Sequence, residues 1–131
     1  MSSQISPRHV MTEVERVMSR QFEWGPCDCC SAACDVFAAL WGIDPIARLR
    51  GYSGERAALR LMSRHGGLPT LCDQIAREVG LICGHASGGF GLASIEGRAS
   101  LLICIEPGLW AGKSLRGFAL LRSAHKGWCF A

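Results

Sequence analysis

Nowhere in this 131-residue chain does an apolar run last the twenty or so positions that a membrane helix needs, so no membrane span is expected. Charge is equally sparse: charged residues make up 19%, and Lys and Arg are scattered rather than gathered in one run. That absence argues against nucleic acid as a partner. A net charge of +3 is diffuse and would help encounter with an acidic protein or an anionic wall polymer without defining either. There is no internal repeat and no low-complexity tract. The first twenty residues hold Arg8, Glu13, Glu15 and Arg16 in a periodic pattern, with no apolar core and no small-residue cleavage site, so no secretion signal is expected.

What is abundant is apolar residues, at 49%, and cysteine, at eight. The first excludes general disorder, and the length fits one domain over residues 1–131. The cysteines are numbers 27, 29, 30, 34, 72, 83, 104 and 129. Four fall between 27 and 34, which is not the spacing of a disulfide framework, and without a signal the thiols are expected to be reduced core residues. Cys27 and Cys30 form one C-x-x-C, but no second C-x-x-C and no H-x-x-x-H follows, Cys83 and His85 being the distant partners on offer. A zinc site needs four ligands, so neither a metal nor another cofactor is expected.

Helical periodicity fills the first half. Ser6-Pro7 opens an amphipathic helix over about 7–20, with Val10, Val14, Val17 and Met18 on one face. Trp24-Gly25-Pro26 interrupts it as a loop. Asp28 is a natural N-cap for a second helix from Cys29 to Trp41, apolar or small everywhere but Ser31 and Asp35, and closed by Gly42. Such a helix belongs at the centre of a domain. A third is expected at about 54–65, capped by Ser53, and a fourth with Thr70 and Asp73 as its capping box, ending at Gly80.

From about residue 81 the texture changes to short apolar runs punctuated by glycine, which predicts strands at 90–95, 100–106, 116–122 and 127–130. Leu101 to Ile105 is apolar throughout and is expected to be central and covered on both faces. Helices over about 7–80 followed by antiparallel strands over about 81–131 make an α+β domain.

Cys29 is the chemical focus. A thiol in the first turn of a helix lies beside the positive end of the dipole and unpaired N–H groups, which favour thiolate and can also stabilise an oxyanion. Trp24 and Gly25 just before it are placed to shape a cleft. The alternative is that Cys29 is one more small core thiol, since a nucleophile also needs a base.

The run Phe22-Glu23-Trp24-Gly25-Pro26-Cys27-Asp28-Cys29-Cys30, continued by Gly42-Ile43-Asp44-Pro45, Arg50-Gly51-Tyr52 and Gly66-Gly67, resembles a family of small uncharacterised proteins encoded among bacteriophage tail genes. The resemblance covers residues 22–80. That family in turn resembles NlpC-type cell-wall cysteine peptidases, whose papain-like fold sets an Asp-Cys pair at the start of a central helix packed on an antiparallel sheet. The resemblance implies such a fold here, with Cys29 as nucleophile, Asp28 as helix cap, and Trp24 and Gly25 near substrate. It also implies a virion setting in a phage tail assembled in the host cytoplasm, with other tail proteins or peptidoglycan as partners.

The second half departs from the peptidase pattern. Working enzymes of that type begin the first core strand with Gly-Asp and carry the catalytic His at the start of the next. Here those stretches read Gly89-Phe90-Gly91-Leu92 and Ser100-Leu101-Leu102-Ile103, with neither the acid nor the His. His9 and His65 fall on helices, which leaves His85 and His125 as substitute bases. Two readings follow: a tail structural or accessory protein that uses the fold as a docking module, or a cysteine peptidase or amidase cutting peptidoglycan cross-links.

Overall fold

In the computed structural model, which describes residues 5–131, the helices come first and the strands after; the first four residues of the expected 1–131 domain lie outside it. Helix α1 (Pro7–Met18) starts where Ser6 accepts a hydrogen bond from the His9 N–H at 3.1 Å, and it buries Val10, Val14, Val17 and Met18. It stops two residues short of the expected end, where the Arg20 side chain folds back to donate to the Val17 carbonyl at 3.1 Å.

Helix α2 (Cys29–Trp41) lies where the sequence puts it. Asp28 caps it, Ser31 completes a capping box, and Gly42 closes it in the left-handed conformation at φ 73°. The connector beyond it contains a short 3-10 turn, Ala47–Leu49, that periodicity did not signal.

The next two helices begin differently from expectation. Helix α3 (Glu55–Arg64) is preceded by Gly54, at φ 84°, and has no side-chain cap, so Ser53 does not play that part. Instead the Gly54 N–H reaches the Trp24 carbonyl at 3.4 Å, tying the helix start to the loop before α2. Helix α4 (Leu68–Val79) starts two residues before Thr70 because Pro69 suits the first turn, its missing N–H being one that a helix start leaves unpaired anyway. Thr70 and Asp73 therefore form no capping box. Asp73 pairs with Lys126 at 2.9 Å, and the Gly67 N–H closes α3 on the Met62 carbonyl at 2.9 Å.

Six strands form one antiparallel sheet: β1 (Ile82–Cys83), β2 (Phe90–Ile95), β3 (Arg98–Glu106), β4 (Leu109–Ser114), β5 (Gly117–Leu121) and β6 (Lys126–Cys129). The order across the sheet is β1-β6-β2-β3-β4-β5. The expected 90–95 strand is β2, while the other three expected strands shift their ends by a residue or two. Strands β1 and β4 were not anticipated. Gly112 disguised β4 as a turn, yet a side chain there would meet Leu102 at 2.6 Å, so the glycine lets neighbouring strands pack.

The core follows from alternation along β3. Leu101, Ile103 and Ile105 face the helices, where α2 lies across β3 beside α1. Leu102 and Cys104 face the other way, into a smaller cluster with Ala93, Ile95 and Trp110. The strand is thus covered on both faces, as its apolar run predicts. Phe37 of α2 anchors the larger cluster, with the rings of Phe90, Phe130 and Trp41 centred 6.0, 6.1 and 6.2 Å away. Burying each such side chain contributes about 1.5–3 kcal/mol. Among the described residues no helix is long and apolar enough to cross a membrane.

Candidate functional site

The loop before α2 folds into a tight hairpin. Glu23 and Cys27 exchange both backbone hydrogen bonds at 2.9 Å, which throws Trp24-Gly25-Pro26 out as its tip. Asp28 then holds the hairpin, the helix and a distant turn together. Its Oδ1 accepts from the Cys30 and Ser31 N–H groups and the Ser31 hydroxyl, at 2.9, 2.8 and 3.1 Å. Its Oδ2 accepts from the Gly25 N–H at 2.9 Å and the Tyr52 hydroxyl at 2.6 Å. A buried carboxylate with five donors around it is a structural clamp whose lone pairs are already in use. Gly25 sits at φ 103°, and a side chain there would run into the Tyr52 carbonyl, so only glycine fits.

Cys29 comes next in the chain and is partly buried. It opens on a cleft of about 630 Å³ between the hairpin, α3, the start of α4, and the β2–β3 and β4–β5 turns. The lining is largely apolar and includes Phe22, Trp24, Met62 and Leu68. Phe22 meets Trp24 edge-on at 4.9 Å, and the Arg98 guanidinium lies 5.4 Å over the Trp24 ring while pairing with Glu55 at 3.0 Å. Of the residues picked from the sequence, Trp24, Asp28 and Cys29 meet at this cleft, and Gly25 is not part of its lining.

The histidines do not join them. None of the four lines the cleft. His85 is exposed and stacks edge-on against Trp110, ring centres 5.1 Å apart, on the sheet face that looks away from the helices. His125 is exposed in the β5–β6 turn, where its backbone N–H bonds to the Leu92 carbonyl at 2.7 Å. His65 caps α3 and contacts Gln74 through Nδ1 at 3.2 Å.

Electrostatics at the sulfur run against thiolate. Burial, then Cys30, then Asp28 push the Cys29 thiol up to about 12, and the Leu101 backbone and Ser100 side chain only partly offset this. The helix dipole is outweighed by desolvation. The remaining thiols are free as well, with Cys83 exposed and Cys27, Cys30, Cys34, Cys72, Cys104 and Cys129 buried. Among the described residues no three His, Cys, Asp or Glu side chains are arranged to hold a metal ion.

Sequence reasoning missed Lys113, a buried lysine that lines the cleft from β4. A lone Lys after the apolar Leu109-Trp110-Ala111 was the available signal, hidden because β4 itself went unrecognised. The Arg50 guanidinium is used within the chain, pairing with Asp35 at 2.6 Å and Asp44 at 2.7 Å.

A family model described as a domain of unknown function (DUF6950) matches residues 4–130. No curated protein and no solved structure matches the chain.

Proposed function

The chain belongs to the DUF6950 family, and we propose that it is a docking module that binds through the cleft beside Cys29 without hydrolysing what it binds. The fold is read as papain-like and NlpC-type, with the Asp28-Cys29 pair opening its central helix and an antiparallel sheet behind. The setting is a phage tail, where the module serves as a structural or accessory component of the tip and its partners are other tail proteins. Both readings start from the sequence resemblance over residues 22–80.

One observation carries the loss of hydrolysis: the cleft that holds Cys29 contains no imidazole, and its thiol is pushed up to about 12. Peptide hydrolysis needs a base to activate the nucleophile and an acid to protonate the departing amine. The second reading, a cysteine peptidase or amidase acting on peptidoglycan, draws support from the position of Cys29 at a helix start open to a cleft.

The two readings separate in a cleavage assay on peptidoglycan stem peptides, with Cys29→Ser, His85→Ala and His125→Ala alongside the unaltered chain. The expected result is no product above the Cys29→Ser background. Cleavage that disappears in Cys29→Ser and in one His variant would replace the docking module with the peptidase. The tail setting is tested separately by mass spectrometry of purified tails of the encoding phage, where this chain is expected in stoichiometric amount.

A further inference from the structure

One charge in the cleft has no counterpart. Lys113 is only 2% exposed, and its Nζ donates to the carbonyls of Ser114 at 3.0 Å and Gly117 at 2.8 Å. An ammonium carries three donors, so one N–H is left without a partner among the described residues. The carboxylates of the cleft are engaged elsewhere. Glu55 pairs with Arg98, Asp28 is saturated by five donors, and exposed Glu96 accepts from the Leu115 N–H at 3.3 Å. Burial lowers the Lys113 pKa, and the Cys27 thiol opposes this. A buried cation with one N–H unpaired and no anion against it is a costly arrangement unless a ligand supplies the anion.

We propose that the cleft receives the free C-terminus of a partner peptide, with the α-carboxylate on Lys113 Nζ and an apolar last side chain among Phe22, Met62 and Leu68. This rests on the docking role above and names the chemistry of its partner. A carboxylate on an apolar body matches the lining, since the site offers one unpaired cation amid mostly apolar side chains. A chain end enters a cleft of about 630 Å³ by one passage, whereas an internal acidic residue would have to bring the chain in and out again. The Ser114 hydroxyl on the same wall suits a peptide backbone better than an alkyl chain.

The test uses N-acetylated tripeptides ending in Leu, Phe or Trp, each as free acid and as C-terminal amide, titrated into the full chain by calorimetry, with decanoate as a further arm. At least one free acid is expected to bind about tenfold or more tightly than its amide, the range for losing a charge-assisted hydrogen bond. Lys113→Met, which keeps the apolar stem, is expected to erase that difference, whereas Arg116→Gln, an exposed cation on the β4–β5 turn, leaves it intact. The acid–amide comparison is made on the unaltered protein and holds even if Lys113→Met folds poorly. Equal binding of acid and amide would overturn the carboxylate inference and leave the docking role standing. Binding of decanoate alone, or of no probe by a folded chain, would overturn the peptide terminus. Shortening of the peptides, read by mass spectrometry, would instead overturn the docking role itself.

Discussion

At Asp28 five donors from three parts of the chain converge on one carboxylate, so its neighbours can be perturbed one at a time. Tyr52→Phe removes the 2.6 Å hydrogen bond to Oδ2 and leaves the Gly25 N–H in place. It is expected to lower stability by about 1–3 kcal/mol, the usual range for breaking a buried bond to a charged group, measured by urea unfolding. Gly25→Ala is expected to destabilise at least as much, because left-handed φ and contact with the Tyr52 carbonyl act together. No loss in either variant would mean that the hairpin and the 52–54 turn are not joined in solution. The thiols give a second residue-level test. Exposed Cys83 is expected to alkylate first with iodoacetamide at pH 8, while Cys29, held up at about 12, has only about one part in ten thousand as thiolate and labels slowly. Peptide mapping that found Cys29 labelled first would restore the activated nucleophile.

Among the elements, α2 packs the larger core cluster against the sheet. Phe37→Ala is expected to cost about 3–5 kcal/mol, because the ring is 1% exposed and touches aromatics from α2, β2 and the chain end. The far face of the sheet depends on glycine in a different way. The Trp110 ring packs against Gly91 and Gly127, where a side chain would come within 2.5 and 2.9 Å of it. Gly91→Ala is therefore expected to displace Trp110 and change the tryptophan fluorescence. A fluorescence spectrum identical to that of the unaltered chain would show that the face is looser than the packing implies.

For the molecule as a whole, the buried ionisable groups set how stability responds to alkali. Cys29 and Cys104 are each raised to about 12, chiefly by burial, and Cys72 and Tyr52 are raised in the same direction. A group raised on folding contributes fully below its unfolded pKa, about 8.5 for a thiol, and the contribution is lost as pH climbs toward the folded value. Lys113, lowered by burial, has the opposite sign but is a single group. Stability is thus expected to fall from about pH 8.5 upward, and less steeply in Cys104→Ala, as thermal melting between pH 7 and 10 would show. A flat profile would mean that the thiols are hydrated.

The sequence alone was enough to set the α+β order, the first two helices, the β2 strand and the burial of β3, because each rests on local periodicity or on a cap within four residues. Ser6 and Asp28 cap their helices as read, since a side chain that bonds an N–H two or three residues on needs no tertiary help. Ser53, Thr70 and Asp73 looked equally suited, but tertiary bonds decided otherwise: Gly54 is held by Trp24, and Asp73 by Lys126. The same division holds at the site. Cys29 at a helix start and Trp24 beside it were legible, whereas the company they keep was not. His85 and His125 lie outside the cleft because β1 and β6 close the opposite end of the sheet order from β4, and Lys113 lines the cleft because β4 runs beside β3. Strand order and desolvation are long-range quantities, and they decided that the cleft beside a cysteine with a dipole behind it would hold no imidazole.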